Sequence, residues 1–112
     1  MELEQHQEGN VVRLKILEKR LDARSADSLK GKIAELIEAG NNRIALDISE
    51  VQFVDSSGLG AIVSALKQLG GKGDLVVGGA RNTVLSMFKL TRLDRVLRIF
   101  ERPDEAVAAL AR

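Results

Sequence analysis

Residues 43–69 read RIALDISEVQFVDSSGLGAIVSALKQL. Arg43 to Ile48 is a short apolar run holding Ile44, Ala45, Leu46 and Ile48, which predicts a strand buried on both faces. From about Ser57 to Leu69, the residues Leu59, Ile62, Val63 and Leu66 recur at i, i+3, i+4 and i+7. That is the apolar stripe of an amphipathic helix. Between them, Ser49 to Asp55 reads as a connection anchored by Val51, Phe53 and Val54. A buried strand feeding a helix is the unit from which layered α/β domains are built.

The flanks extend the same pattern. After the helix, Gly70-Gly71-Lys72-Gly73 reads as a loop, and Leu75, Val76 and Val77 as a strand closed by Gly78-Gly79. Val84, Leu85 and Phe88 predict a short helix, and Val96 to Phe100 a last strand. Pro103 fits the first position of a final helix, with Asp104 and Glu105 favourable in its first turn and Val107 and Leu110 packing it back. On the other side, Leu29, Ile33, Leu36 and Ile37 predict a helix. Ser25 reads as its N-cap, Asp27 lies in its first turn, and Gly40-Asn41-Asn42 stops it. Val11 to Leu17 alternates, with Val12, Leu14 and Ile16 on one face and Arg13 and Lys15 on the other. Gly9-Asn10 is a tight-turn signal joining it to a weaker strand over Leu3 to Gln7, which leaves an exposed edge open to pairing. The expectation is a single α/β domain over residues 1–112. It has a mixed, mostly parallel central sheet, an N-terminal hairpin and about four helices.

Composition narrows the function. The chain has 112 residues, 45% hydrophobic and 29% charged, which is long enough for a core without staples. With no Cys and one His, thiolate chemistry and multi-histidine zinc sites are excluded. The net charge of +1, with no Trp or Tyr, gives neither a general attraction for nucleic acid nor a stacking platform for single strands. No targeting segment or bilayer-spanning run is visible, so a soluble cytoplasmic domain without membrane insertion is expected. Charge is uneven, however. Residues 1–56 carry 8 basic and 11 acidic side chains, and residues 57–112 carry 9 basic and 5 acidic. Arg81, Lys89, Arg92, Arg95, Arg98 and Arg102 make up most of the excess. They read either as a solvated face or as a patch for an acidic partner surface.

Chemistry concentrates at Val54-Asp55-Ser56-Ser57-Gly58-Leu59-Gly60. It follows a buried strand, where sites in open α/β sheets gather, and it opens a helix with two hydroxyls at free backbone N–H groups. Two glycines in a first turn each cost about 1 kcal/mol relative to Ala. Either the helix packs closely on a strand, or a foreign backbone or phosphate must approach. Asp55, Ser56 and Ser57 could equally be an ordinary cap. Enzyme patterns fail here. Neither serine sits in Gly-x-Ser-x-Gly, and the one His, His6, lies in the polar N-terminal stretch. Gly70-Gly71-Lys72-Gly73 lacks the P-loop spacing, and Gly58-x-Gly60 lacks the third Gly of a dinucleotide loop, with Val63 there. Asp22, Asp47 and Asp55 could converge as an acidic cluster, but the adjacent acids that a receiver-type site needs at a first strand end are missing. No catalytic residue, metal site or cofactor is assigned.

Leu21-Asp22, Ile44-Ala45-Leu46-Asp47-Ile48 and Phe53-Val54-Asp55-Ser56-Ser57-Gly58-Leu59-Gly60, continued through Val84, Phe88, Leu90 and Leu93, resemble a STAS domain of the anti-sigma factor antagonist type. The resemblance implies a non-enzymatic binding protein. Its partner would be an anti-sigma factor serine kinase of the histidine-kinase-like ATPase fold, whose capture frees a sigma factor. The first hydroxyl after the motif Asp, here Ser56, would be phosphorylated, and a PP2C-type phosphatase would reverse it. Ser56 is preferred over Ser57 on that motif match. Asp22, Asp55, Ser57, Gly58, Leu59 and Gly60 would belong to the partner-binding surface. Lys19 and Arg92 stand where the family often has Gly, which bears on the partner's identity more than on the fold. The alternative is a structural or regulatory subunit of an ATP-driven lipid transporter. A monomer or weak dimer is expected.

Overall fold

The computed structural model describes residues 1–111. Strands β1 (Leu3–Glu8) and β2 (Val11–Ile16) form the expected antiparallel hairpin across Gly9-Asn10. β3 (Arg20–Leu21) and α1 (Ala23–Glu38) follow, then β4 (Arg43–Asp47), β5 (Phe53–Val54) and α2 (Ser56–Leu69). A 3-10 turn at Gly70–Lys72 leads to β6 (Asp74–Gly78) and α3 (Asn82–Leu90). A second 3-10 turn at Leu93–Arg95 leads to β7 (Ile99–Phe100) and α4 (Pro103–Leu110). The main sheet has the order β1-β2-β4-β6-β7, and every pairing after the hairpin is parallel. The mixed, mostly parallel sheet and the four α-helices match the sequence expectation.

Alternation along the central strands sorts the core into two layers. Val12, Leu14 and Ile16 of β2, Ile44 and Leu46 of β4, and Leu75 and Val77 of β6 join the side chains of α1, α2 and α3 on one face. Val11, Ala45 and Val76 point to the other face, where Ala106, Val107 and Leu110 of α4 cover them. Both faces of β4 are therefore apolar, which is why its sequence reads as a continuous run. At the carboxyl end of β4, Asp47 is 2% exposed. It accepts hydrogen bonds from the Ser49 amide (3.0 Å), the Ser49 hydroxyl (2.6 Å) and Arg13 Nη2 (3.3 Å). Arg13 also donates to Asp104 at the start of α4 (2.8 Å). Burial works against the Arg13 charge, but its hydrogen bonds to Asp104 and Asp47 outweigh that and its pKa is raised. Truncating Asp47 leaves half-buried donors, Arg13 and the Ser49 amide and hydroxyl, without their acceptor, so Asp47→Ala is expected to cost about 2–3 kcal/mol in urea unfolding. A change below about 0.5 kcal/mol would show that the Asp47 bonds contribute little to stability.

Four local expectations are corrected. The N-cap of α1 is Asp22, not Ser25. The Asp22 carboxylate accepts from the Arg24 amide (3.1 Å), while Ser25 Oγ accepts from the Asp22 amide (3.0 Å), so Ser25 is the third helical residue and Asp27 falls beyond the first turn. The stretch Ser49 to Asp55 holds the strand β5, paired in parallel with β3 as a separate two-stranded sheet. Phe53 is not a core anchor. It is 42% exposed because alternation in β5 turns Val54 inward and Phe53 outward. The last strand is shorter than Val96 to Phe100, because the 3-10 turn, the turn at Val96 and the bend at Leu97 delay the strand until Ile99. Among the described residues, no helix is long and apolar enough to cross a membrane.

Candidate functional site

Two strand-to-helix corners stand side by side. In the β3/β5 pair, Arg20 lies opposite Phe53 and Leu21 opposite Val54. Each strand is followed at once by an aspartate and then a helix, Asp22 before α1 and Asp55 before α2. Parallel pairing in this register brings both N-caps to one edge, and the Asp55 amide donates to the Leu21 carbonyl (3.2 Å). Sequence spacing alone could not have joined Asp22 to Asp55, which are far apart in the chain. Asp47 does not join them, since it is held by Ser49 and Arg13 elsewhere. Among the described residues, no group of three His, Cys, Asp or Glu side chains is placed to hold a metal ion.

The cap of α2 is Asp55. Its Oδ1 accepts from the Gly58 amide (3.0 Å), and the residue is extended at φ −103°. Ser56 and Ser57 are therefore free of the capping role, and both are exposed in the first turn. An anion placed there would meet the positive end of the helix and unsatisfied N–H groups. Ser57 and Gly60 line a shallow groove of about 430 Å³ between α1 and α2, opposite Ala23 and Asp27. Gly58 and Leu59 point inward, with Leu59 only 6% exposed. These two shape the surface from beneath, whereas Ser56, Ser57 and Gly60 are presented on it.

The two glycines have different causes. A Cβ on Gly58 would lie 2.3 Å from the Leu21 carbonyl oxygen and 3.0 Å from side-chain atoms of Leu21 and Val54. Gly58 is thus the close approach of α2 to the β3/β5 pair. A Cβ on Gly60 would meet nothing within 4 Å. Packing within the chain gives no reason for that glycine, and its helix-propensity cost is not recovered there. Gly60→Ala is expected to stabilise the protein by up to about 1 kcal/mol, read as a higher melting temperature. A lower melting temperature would reveal an internal constraint at this position.

Sequence reasoning missed the Arg20–Phe53 pair. The Arg20 guanidinium lies 4.3 Å from the centre of the exposed Phe53 ring and 3.4 Å from Asp22 Oδ2. It places a cation and an aromatic face beside the two caps. The available signal was that each residue directly precedes the last residue before a cap aspartate. Asp22 and Arg24 also border a groove of about 410 Å³ that runs past Leu17 and Lys19.

Comparison with known proteins agrees with this architecture. The STAS domain family model matches residues 2–106. A Thermotoga maritima protein named as a candidate anti-sigma factor antagonist is 34% identical over 79 residues, covering 70% of each chain. The anti-sigma F factor antagonist of Paenibacillus polymyxa is 28% identical over 112 residues, covering 98% of this chain and 93% of its own. The crystal structure of a candidate anti-sigma factor antagonist from Thermotoga maritima superposes with a TM-score of 0.88 at 28% identity, over 98% of this chain and 95% of that one. With the mixed sheet, the paired corners and a family match over almost its whole length, the chain belongs to the STAS domain family, among relatives named as anti-sigma factor antagonists.

Proposed function

We propose that this protein is an anti-sigma factor antagonist that binds an anti-sigma factor serine kinase through the corner formed by Asp22, Asp55 and the first turns of α1 and α2. Phosphorylation of Ser56 by that kinase, an ATP-using protein of the histidine-kinase-like fold, releases the complex. A PP2C-type phosphatase restores binding. The carrying observation is that Asp55, not a serine, caps α2, which leaves the Ser56 hydroxyl exposed at a helix N-terminus.

The switch follows from charge. Phosphate on Ser56 adds about −1.5 to −2 charge beside the Asp55 carboxylate. The helix N-terminus accommodates that anion, so the domain stays folded. A partner surface fitted to a neutral hydroxyl and an existing carboxylate would then meet like charge and added bulk. Gly60, unexplained by internal packing, supports the reading because its bare backbone lets a partner come close to α2.

Affinity capture from the host lysate tests the partner class, using the wild type and Ser56→Asp as baits. A histidine-kinase-like ATPase held by the wild type and lost by the variant is expected. A transporter ATPase held equally by both would replace this function with that of a transporter subunit.

A further inference from the structure

Beyond the Ser56 corner, the segment from Lys89 to Val96 is built on a firm base but shows an unusual outer face. Phe88 and Leu97 at its two ends are buried, and Leu93 packs against the core between them. Leu90 is nevertheless 78% exposed and Val96 is 70% exposed. Lys89, Arg92 and Arg95 are exposed alongside them, and none takes part in an ion pair among the described residues. Asp94 is the one acid in the segment.

The turn itself is made on Arg92, at φ 61° and ψ 21°, the one non-glycine residue with positive φ among the described residues. Glycine adopts that conformation without the steric penalty an L side chain meets. Backbone bonds brace the turn on both sides, from the Arg92 amide to the Lys89 carbonyl (3.1 Å) and from the Arg95 amide to the Arg92 carbonyl (3.2 Å). They would serve a glycine equally well. The arginine side chain makes no hydrogen bond or ion pair among the described residues, so nothing inside the fold explains its presence at a strained position.

We infer that the Lys89–Val96 knuckle is a docking surface for an acidic, amphipathic protein segment. Apolar side chains of that segment seat on Leu90 and Val96, while its carboxylates pair with Lys89, Arg92 and Arg95. Charge complementarity selects this occupant. Three cations free of ion pairs among the described residues share one eight-residue stretch with two exposed apolar side chains, and guanidinium forks match carboxylates in two-point contacts. An anionic lipid surface fits less well, because the patch carries Asp94 and the chain has no Trp or Tyr to anchor at a headgroup layer. The knuckle belongs to the crossover from β6 to β7, whereas Ser56 lies in the one from β4 to β6.

Amide chemical-shift titration of the full chain tests it. The probe is a synthetic helical peptide of about 16 residues, with Leu on one face at i, i+3 and i+4 spacing and Glu elsewhere. Saturable shifts centred on residues 88–97 are expected, weakening as salt is raised. Arg92→Gly is expected to weaken binding about fivefold or more while melting no lower than wild type. Leu90→Ser should weaken it comparably, and Lys89→Glu combined with Arg95→Glu should abolish it. Absence of saturation, equal binding of a Lys-for-Glu peptide, or unchanged affinity in Arg92→Gly would overturn the inference. Binding to phosphatidylglycerol vesicles, without binding to the peptide, would assign the patch to a membrane surface instead.

Discussion

Gly58→Ala is expected to lower the stability of this protein by about 2–3 kcal/mol, a drop in melting temperature on the order of 10 °C. The added methyl would overlap the Leu21 carbonyl oxygen at 2.3 Å, and that neighbour is backbone, which cannot rotate away. Relief requires α2 to lift from the β3/β5 pair, which would stretch the bond from the Asp55 amide to the Leu21 carbonyl. Alanine's better helix propensity returns about 1 kcal/mol, too little to offset overpacking of this kind. Thermal and urea unfolding of Gly58→Ala and Gly60→Ala side by side give the sharpest reading. Opposite signs are expected for two glycines two positions apart in the same turn. A neutral Gly58→Ala would mean that the corner is looser than its contacts imply.

Ser56→Asp is expected to weaken binding of the proposed kinase on the order of 100-fold while leaving stability within about 1 kcal/mol of wild type. A new carboxylate at the first helical position gains a few tenths of a kcal/mol from the helix dipole. Its repulsion from Asp55 at an exposed site is of similar size and opposite sign. Across the proposed interface the same charge would be desolvated against a partner surface that already accommodates Asp55. There an added like charge costs about 3 kcal/mol. Ser56→Ala separates the two effects, since it should bind like wild type and resist modification. Calorimetric titration beside a thermal melt checks both halves. A large loss of stability in Ser56→Asp would mean that disrupted folding, rather than charge at the surface, breaks the complex.

The layered α/β architecture was legible because its signals are long. The alternation of Val12, Leu14 and Ile16, the continuous run of β4 and the helical stripes each span several residues. What escaped was short. β3 and β5 have two residues each, too few to show a period, yet their pairing sets the site. Asp22 and Ser25 are both N-cap residue types three positions apart, and tertiary register alone decided which one caps α1. On α2, the expected Val63 and Leu66 are only half-buried, while Ala61, Ala65 and Leu69 carry more of the contact. The motif Asp55-Ser56-Ser57-Gly58 was placed correctly at the head of a helix. The resemblance puts Asp22 and Asp55 on one surface, but the strand contact that joins them, and the Arg20–Phe53 stack beside them, link residues distant in sequence and carry no local signal. Val96 reads as a strand residue by composition, but the left-handed turn at Arg92 and the 3-10 turn after it leave it outside the sheet.

The central claim is that Ser56 is the switch on a surface that binds the kinase. Its most direct test is phosphopeptide mapping of the protein recovered from its host, with the kinase-bound and unbound fractions analysed separately. Phosphate on Ser56, confined to the unbound fraction, is the expected result. Phosphate found on Ser57 alone, or Ser56 phosphate equally abundant in the bound fraction, would contradict it.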